Sequence, residues 1–177
     1  MNTDVRIRQA LLELMSEKRL EEITIIAIAD KSMINRTTVY RYYVDKYAIL
    51  QTIEDNVLQE LDEVSNSSAQ GKMILNILNL INDKRFMISV LLGENGNQRF
   101  HEHFITFLTA KGLNNIERST RFNGLDTRQK ELLAEYISSA LLGLIKYWLR
   151  HSEMSVEELD KFFENLFRNG LNSFMEH

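Results

Sequence analysis

The stretch "ITIIAIADKSMINRTTVYRYYVDKYAIL", residues 23–50, opens like a strand and closes like a pair of helices. Four of its first six residues are isoleucine, which by propensity alone favours a sheet. Thr24, however, is a good helix N-cap, and Ile25, Ile28 and Ala29 then share one helical face. A break over Ser32 to Ile34 follows. Asn35 is a second strong N-cap, opening a short helix through Arg41 that Val44 and Asp45 end. Lys46 begins a long helix to about Val64, with Ile49, Leu50, Ile53, Val57, Leu58 and Leu61 on its inner side. Two helices joined by a short turn, the second of them brief and N-capped, predict a helix-turn-helix.

In such a motif the second helix enters the DNA major groove N-terminus first. Arg36, Thr37 and Thr38 occupy that leading turn. Arginine can donate two hydrogen bonds to guanine, and a threonine methyl can pack on the thymine methyl. The exposed amides at the helix start and the positive end of the helix dipole favour phosphate, so Asn35 counts with the expected DNA-binding residues. Tyr40 and Tyr42 lie a turn further back, where hydroxyls meet the sugar-phosphate wall, and Lys46 can add a point charge there. Val39 and Tyr43 are four apart, so Tyr43 is expected to face the core with its hydroxyl at the edge. Taken singly, each tyrosine reads better as a packing residue; the set, with the cap and the turn, reads better as a DNA surface.

Charge is uneven along the chain. The net charge is −4, yet residues 31–50 hold Lys31, Arg36, Arg41 and Lys46 against Asp45 alone. A basic patch on an acidic body suits an anionic partner met at one surface, although an excess this small also arises by ordinary fluctuation.

Outside this stretch the pattern stays helical. Proline is absent, and most glycines sit in interruptions between apolar residues spaced three and four apart. A first helix after Thr3 buries Ile7, Leu11 and Leu14. The polar run "SNSSAQG", residues 65–71, is the expected joint between an N-terminal and a C-terminal part. Beyond it, helices are expected at about 72–82, 84–92, 97–112, 127–151 and 156–175, with 113–125 left as a helical turn and a loop. Asp126 with Gln129, and Ser155 with Glu158, have capping-box form. The fold class is therefore all-α, with about nine helices: a three-helix head carrying the helix-turn-helix, then a helical bundle.

The last two helices carry more apolar surface than one buried face requires. Leu133, Ile137, Ala140, Leu141, Leu144 and Trp148 form a stripe, with Leu132, Tyr136 and Ile145 outside it, and Leu159, Phe162, Phe163, Leu166, Phe167, Leu171 and Phe174 make a wide band. This predicts a homodimer formed as a four-helix bundle, with Ile137, Leu141, Leu144, Trp148, Phe163, Leu166 and Phe167 at the interface and Ser138, Ser139, Ala140 and Gly143 allowing close approach. A twofold protein places two short helices in successive major grooves, so the expected partner is double-stranded DNA with a palindromic operator.

Several classes of chemistry are excluded or unsupported. Cysteine is absent, so disulfides, thiolate metal sites and cysteine nucleophiles are ruled out. No uninterrupted apolar run of about 18 residues occurs, which predicts a cytoplasmic protein without a membrane partner. His101 and His103 fall on different helix faces and make a poor metal pair. No glycine-rich phosphate loop, GxSxG elbow or HExxH occurs; no enzyme, metal or cofactor is expected.

Residues 23–50 resemble the helix-turn-helix of the TetR family of bacterial transcription regulators, with Thr24, Ile28, Ala29, Ile34, Asn35, Tyr40, Tyr42 and Lys46 at matching positions. The resemblance implies that Arg36, Thr37 and Thr38 face bases while Thr24, Tyr40, Tyr42 and Lys46 face phosphates. Three positions depart from the family pattern: Met33 stands at its turn glycine, Tyr43 at its core phenylalanine and Tyr47 at its common glutamate. If the glycine position is left-handed, Met33 there costs about 1 kcal/mol or slightly more. "INDKRFMISVLLGENGNQRFHEHFITFL" (81–108) and "YISSALLGLIKYWLRHSEMSVEEL" (136–159) resemble a TetR subgroup associated with dihydroxyacetone kinase genes, some of whose members are activators. Many relatives bind a small apolar molecule among their central helices, which makes Phe86, Phe104 and Tyr147 the candidate pocket residues.

The expectation is a homodimeric regulator, a repressor, with residues 1–46 reading DNA and residues 47–177 dimerising and binding an effector. The alternative is a helical interaction module, or a kinase-associated activator, controlled by a protein co-regulator.

Overall fold

The computed structural model describes residues 2–69, 71–151 and 153–170. It is all-α: nine α-helices and two 3-10 turns, with no strand among the described residues. The chain divides into two compact units, residues 1–60 with 86–101, and residues 61–85 with 102–177.

The first unit is built on α1 (Thr3–Met15), α2 (Ile25–Ser32) and α3 (Arg36–Tyr42). Helix α1 starts one residue earlier than expected, because the Asn2 side chain caps it by accepting from the Asp4 amide. It buries Ile7, Leu11 and Leu14 as the spacing predicts, together with Ala10, Leu12 and Met15. The isoleucine-rich segment is helical: the Thr24 hydroxyl accepts from the Ala27 amide at 3.1 Å, which spends an otherwise orphan donor and outweighs the β propensity. Asn35 caps α3 in the same way, accepting from the Thr37 amide at 2.8 Å. Between the two helices Met33 has φ 51° and ψ 43°, the left-handed geometry that the family's glycine suits. Val39 is fully buried and pins α3 to the core, worth about 1.5 kcal/mol or more.

Helix α4 (Lys46–Ser67) opens on Asp45, whose side chain accepts from the Ala48 amide. It runs past Val64 into the expected joint. The hydroxyls of Ser65, Ser67 and Ser68 turn back onto the carbonyls of Asp62 and Val64, so a polar run that reads as a linker is absorbed into the helix end. The rest of the first unit is α6 (Arg85–Leu91) after its first residue and the start of α7 (Gln98–Arg118).

In the second unit α5 (Met73–Asp83) packs on α9 (Val156–Asn169), and α8 (Thr127–Arg150) also contacts α9. Both expected capping boxes form, Asp126 with Gln129 and Ser155 with Glu158. Helix α7 continues through Arg118, six residues past the expected end. Gly112 does not stop it but lies against α8, where a Cβ would come within 3.3 Å of Ser138 Oγ. A glycine that looks like punctuation is thus a point of close helix approach.

That contact also corrects the phase of α8. Its buried stripe is Ala134, Ser138, Leu141, Ile145 and Trp148, not the stripe centred on Leu133, Ile137 and Leu144, which is half-buried. Ile145 lies inside and Ala140 outside. On α9, Val156, Leu159 and Phe163 are buried; Leu171, Phe174 and the expected end near 175 lie outside the described residues.

Candidate nucleic-acid interface

Helix α3 presents two faces of different chemistry. Val39 and, at its C-cap, Tyr43 are buried, whereas Arg36, Thr37, Tyr40 and Tyr42 are exposed and Thr38 is half-buried. Five of the eight expected DNA-facing side chains thus gather along this one helix. The Arg36 guanidinium rests 5.4 Å from the Tyr40 ring centroid, with Nη2 3.4 Å from the hydroxyl, a long contact that does not bind it tightly.

The other three side chains serve the framework. Thr24 and Asn35 spend their side-chain oxygens on caps. Lys46 Nζ donates to the backbone carbonyls of Leu20, Glu21 and Ile23 at 2.7, 2.9 and 2.8 Å. An ammonium has three protons, and all three are used, so Lys46 clamps the segment that leads into α2.

Two framework groups escaped sequence reasoning. Arg6 donates from Nη2 to the carbonyls of Ser32 and Met33, across the turn between α2 and α3. Asp4 accepts from the Tyr43 hydroxyl and pairs with Arg8 at 2.7 Å. Burial, and then the hydrogen bond to Asp4, push the Tyr43 hydroxyl up to about 12. No local pattern announces either network, since the partners are far apart in sequence. The basic patch also shrinks: Lys31 pairs with Glu13 at 3.2 Å, and the Gln9 amide and then Lys31 hold the Glu13 carboxyl below its usual range. Arg41 is exposed, with no side-chain hydrogen bond or ion pair among the described residues.

In the second unit, burial revises the expected dimer face. Leu141, Trp148 and Phe163 are 4%, 2% and 4% exposed within a single chain, so they are core and not available to a second copy. Ile137, Leu144 and Leu166 are half-buried and Phe167 is exposed. The apolar and small side chains that do face outward are Leu132, Tyr136, Ser139, Ala140, Gly143 and Tyr147 on α8, with Phe162 and Phe167 on α9. Of the candidate pocket residues, Phe104 is fully buried and Phe86 is exposed; Tyr147 lines a cavity of about 560 Å³ at the connection between α8 and α9.

Residues 70–169 match the family model described as the TetR transcriptional regulator C-terminal region. The uncharacterized HTH-type transcriptional regulators YxbF and YvdT of Bacillus subtilis (strain 168) are similar. YxbF is 19% identical over 89% of this chain and 42% of its own length. YvdT is 29% identical over 48% of this chain and 44% of its own length. The chain thus spans less than half the length of either relative.

A TetR-like regulator from Rhodococcus sp. RHA1 has a similar fold, with TM-score 0.73, 19% identity and 96% of each chain covered. NalD, the secondary repressor of the MexAB-OprM efflux pump of Pseudomonas aeruginosa, gives 0.69 at 19% identity, covering 95% of this chain and 94% of its own. The dihydroxyacetone kinase operon activator DhaS gives a weaker 0.55 at 15% identity, covering 97% and 95%. With an N-capped helix-turn-helix at one end and the matched regulator region over more than half of its residues, the chain belongs to the TetR family of transcription regulators.

Proposed function

We propose that the chain is a homodimeric repressor that binds a palindromic operator on double-stranded DNA. The observation that carries this is the division of α3, with Val39 and Tyr43 anchored inside and Arg36, Thr37, Tyr40 and Tyr42 turned outward. Arg36, Thr37 and Thr38 read bases; Tyr40 and Tyr42 take phosphates. Thr24 and Lys46 stand toward the backbone as a cap and a clamp, Lys46 adding its charge while its protons stay on carbonyls. Arg41 is a further phosphate contact. In this reading residues 1–46 are the DNA-reading head, and residues 47–177 dimerise and bind an effector.

Support for two copies comes from α8, which is long and apolar enough to cross a membrane yet keeps an outward row from Leu132 to Tyr147 in a chain with no other sign of a membrane segment among the described residues. Ser139, Ala140 and Gly143 in the middle of that row let a second α8 approach closely. The dimer face is therefore Leu132, Tyr136, Ala140 and Tyr147, with Phe162, Leu166 and Phe167 from α9. A small effector works by population shift, favouring a dimer whose head spacing does or does not match two half-sites. Repression in the cytoplasm is the direction taken, NalD being nearer in fold than DhaS; the likeness to DhaS favours, as a second reading, an activator controlled by a protein partner.

The test is to incubate the protein with sheared DNA from its source, recover and sequence what it retains, with Arg36→Ala in parallel. A palindrome enriched by the unmutated protein alone is expected, with Arg36→Ala losing about 1–3 kcal/mol of specific binding. Equal, diffuse retention by both proteins sinks the operator reading in favour of a head that reads no sequence.

A further inference from the structure

The second unit holds a further cavity, of about 270 Å³, walled by the start of α5, the end of α7, the 3-10 turn Thr120–Phe122 and α9. That volume is a little under the ~300 Å³ at which drug-sized sites begin, and suits a compact ligand. The charges of the wall are divided by element. Arg118 and Arg121 come from the end of α7 and the turn after it, whereas Asp160, Glu164 and Arg168 come from α9. The apolar part of the wall includes Met73, Ile74, Phe122 and Phe163.

Only one pair of opposite charges in this wall meets: Arg168 and Glu164, at 3.8 Å along α9. Arg118, Arg121 and Asp160 make no side-chain hydrogen bond or ion pair among the described residues, although all three line the same space. Burial, and then Glu164 and Glu157, push the Asp160 carboxyl up, and no cation offsets them. A half-buried carboxylate that no cation reaches costs free energy until a cation is brought to it.

The unmatched charges select the ligand. A bare anion would sit on the arginines and leave Asp160 as it is. A bare cation would be drawn to Asp160 and repelled by two guanidiniums. A zwitterion with an apolar body serves every group: the planar arginine forks take a carboxylate, Asp160 takes an ammonium, and the apolar wall takes the rest.

We infer that this cavity binds an apolar α-amino acid as its zwitterion, with the carboxylate on Arg118 and Arg121, the ammonium on Asp160 and the side chain against Met73 and Phe122. The site rests on neither the operator nor the dimer. Of its wall only Phe167 also belongs to the proposed dimer face, and that ring packs on Phe122, centroids 6.3 Å apart.

The full-length protein is titrated by calorimetry with L-leucine, L-methionine and L-phenylalanine. Leucine's two half-ligands follow: 4-methylpentanoate, which lacks the ammonium, and 3-methylbutylamine, which lacks the carboxylate. At least one amino acid is expected to bind saturably, and each half-ligand to bind at least about tenfold more weakly than leucine. Arg121→Gln and Asp160→Asn should each weaken the amino acid by about tenfold. Arg121 is exposed and Asp160 has no partner to lose, so both variants should melt no lower than the unmutated chain; melting is measured alongside. A half-ligand that binds as tightly as leucine overturns recognition of the zwitterion. No saturable binding of any of the three amino acids, or an affinity that either variant leaves unchanged, overturns the site.

Discussion

Arg6 and Met33 are joined across the helix-turn-helix: Arg6 Nη2 donates to the Met33 carbonyl at 3.2 Å and to the neighbouring Ser32 carbonyl at 2.6 Å. Met33 is left-handed and 82% exposed, so its side chain gains little burial in return for the strain. Arg6 counters this by placing a cation on carbonyls at the C-terminal end of α2, where the helix dipole is negative. Met33→Gly should stabilise the protein by about 0.5–1 kcal/mol, the strain relief partly offset by the freedom glycine gains when unfolded. Arg6→Ala should cost about 1 kcal/mol. Urea unfolding checks both, and a Met33→Gly variant less stable than the unmutated chain refutes the strain.

Tyr43 couples stability to alkaline pH. Its hydroxyl titrates at about 12 when folded against an ordinary 10.0. A raised value means that the folded state favours the neutral phenol, so the contribution is full below pH 10 and is lost as pH rises toward 12. Tyr43→Phe, which also gives up the bond to Asp4, should cost about 1 kcal/mol at neutral pH. The gap between the two proteins should then narrow from pH 10 to 12; a gap of constant size across that range counts against the argument.

Lys46→Ala should lower DNA affinity across all sequences and also cost about 1–2 kcal/mol of stability, because it leaves three carbonyls without their cation. Melting and binding measured on the same preparation separate the roles. If affinity falls while melting is unchanged, Lys46 grips phosphate and is not needed as a clamp. A change in base preference contradicts both.

Tyr136→Glu, on the outward face of α8, should convert a dimer to a monomer by sedimentation with little loss of chain stability, since Tyr136 is 71% exposed. Leu141→Ala should do the reverse, costing about 2–4 kcal/mol of folding while leaving the outward face intact. Exchange of these two results would restore Leu141 to the interface.

Gly112→Ala should change stability little in the unmutated chain. A gain of about 1 kcal/mol in helix propensity is set against crowding at Ser138 Oγ, 3.3 Å from the new Cβ. In a Ser138→Ala background the crowding atom is gone, and the same substitution should stabilise. Additivity between the two sites in thermal melts rules out their contact.

The caps, the helices and the motif were legible because their causes are local. Thr24 and Asn35 act on amides three and two residues away respectively, and Asp126 and Ser155 on amides three away. A short window of sequence holds all the chemistry involved. For the same reason the all-α class, the order of the helices and the outward turn of Arg36, Thr37, Tyr40 and Tyr42 could be read directly, and Met33 could be picked out as the odd residue in its turn.

What the sequence by itself determined, then, was the set of helices and the outward row on α3. The tertiary structure decided which way α8 faces, where α7 ends and what Lys46 holds. Helix α8 is apolar on most sides, so periodicity admits several phases; the close approach of Gly112 and Ser138 selects one and sends Leu141 and Trp148 inward. Lys46 has carbonyl partners 23 to 26 residues away, and Arg6 has partners 26 and 27 residues away. Contacts at that separation depend on how distant segments pack, and a side chain's own neighbours in sequence say nothing of them.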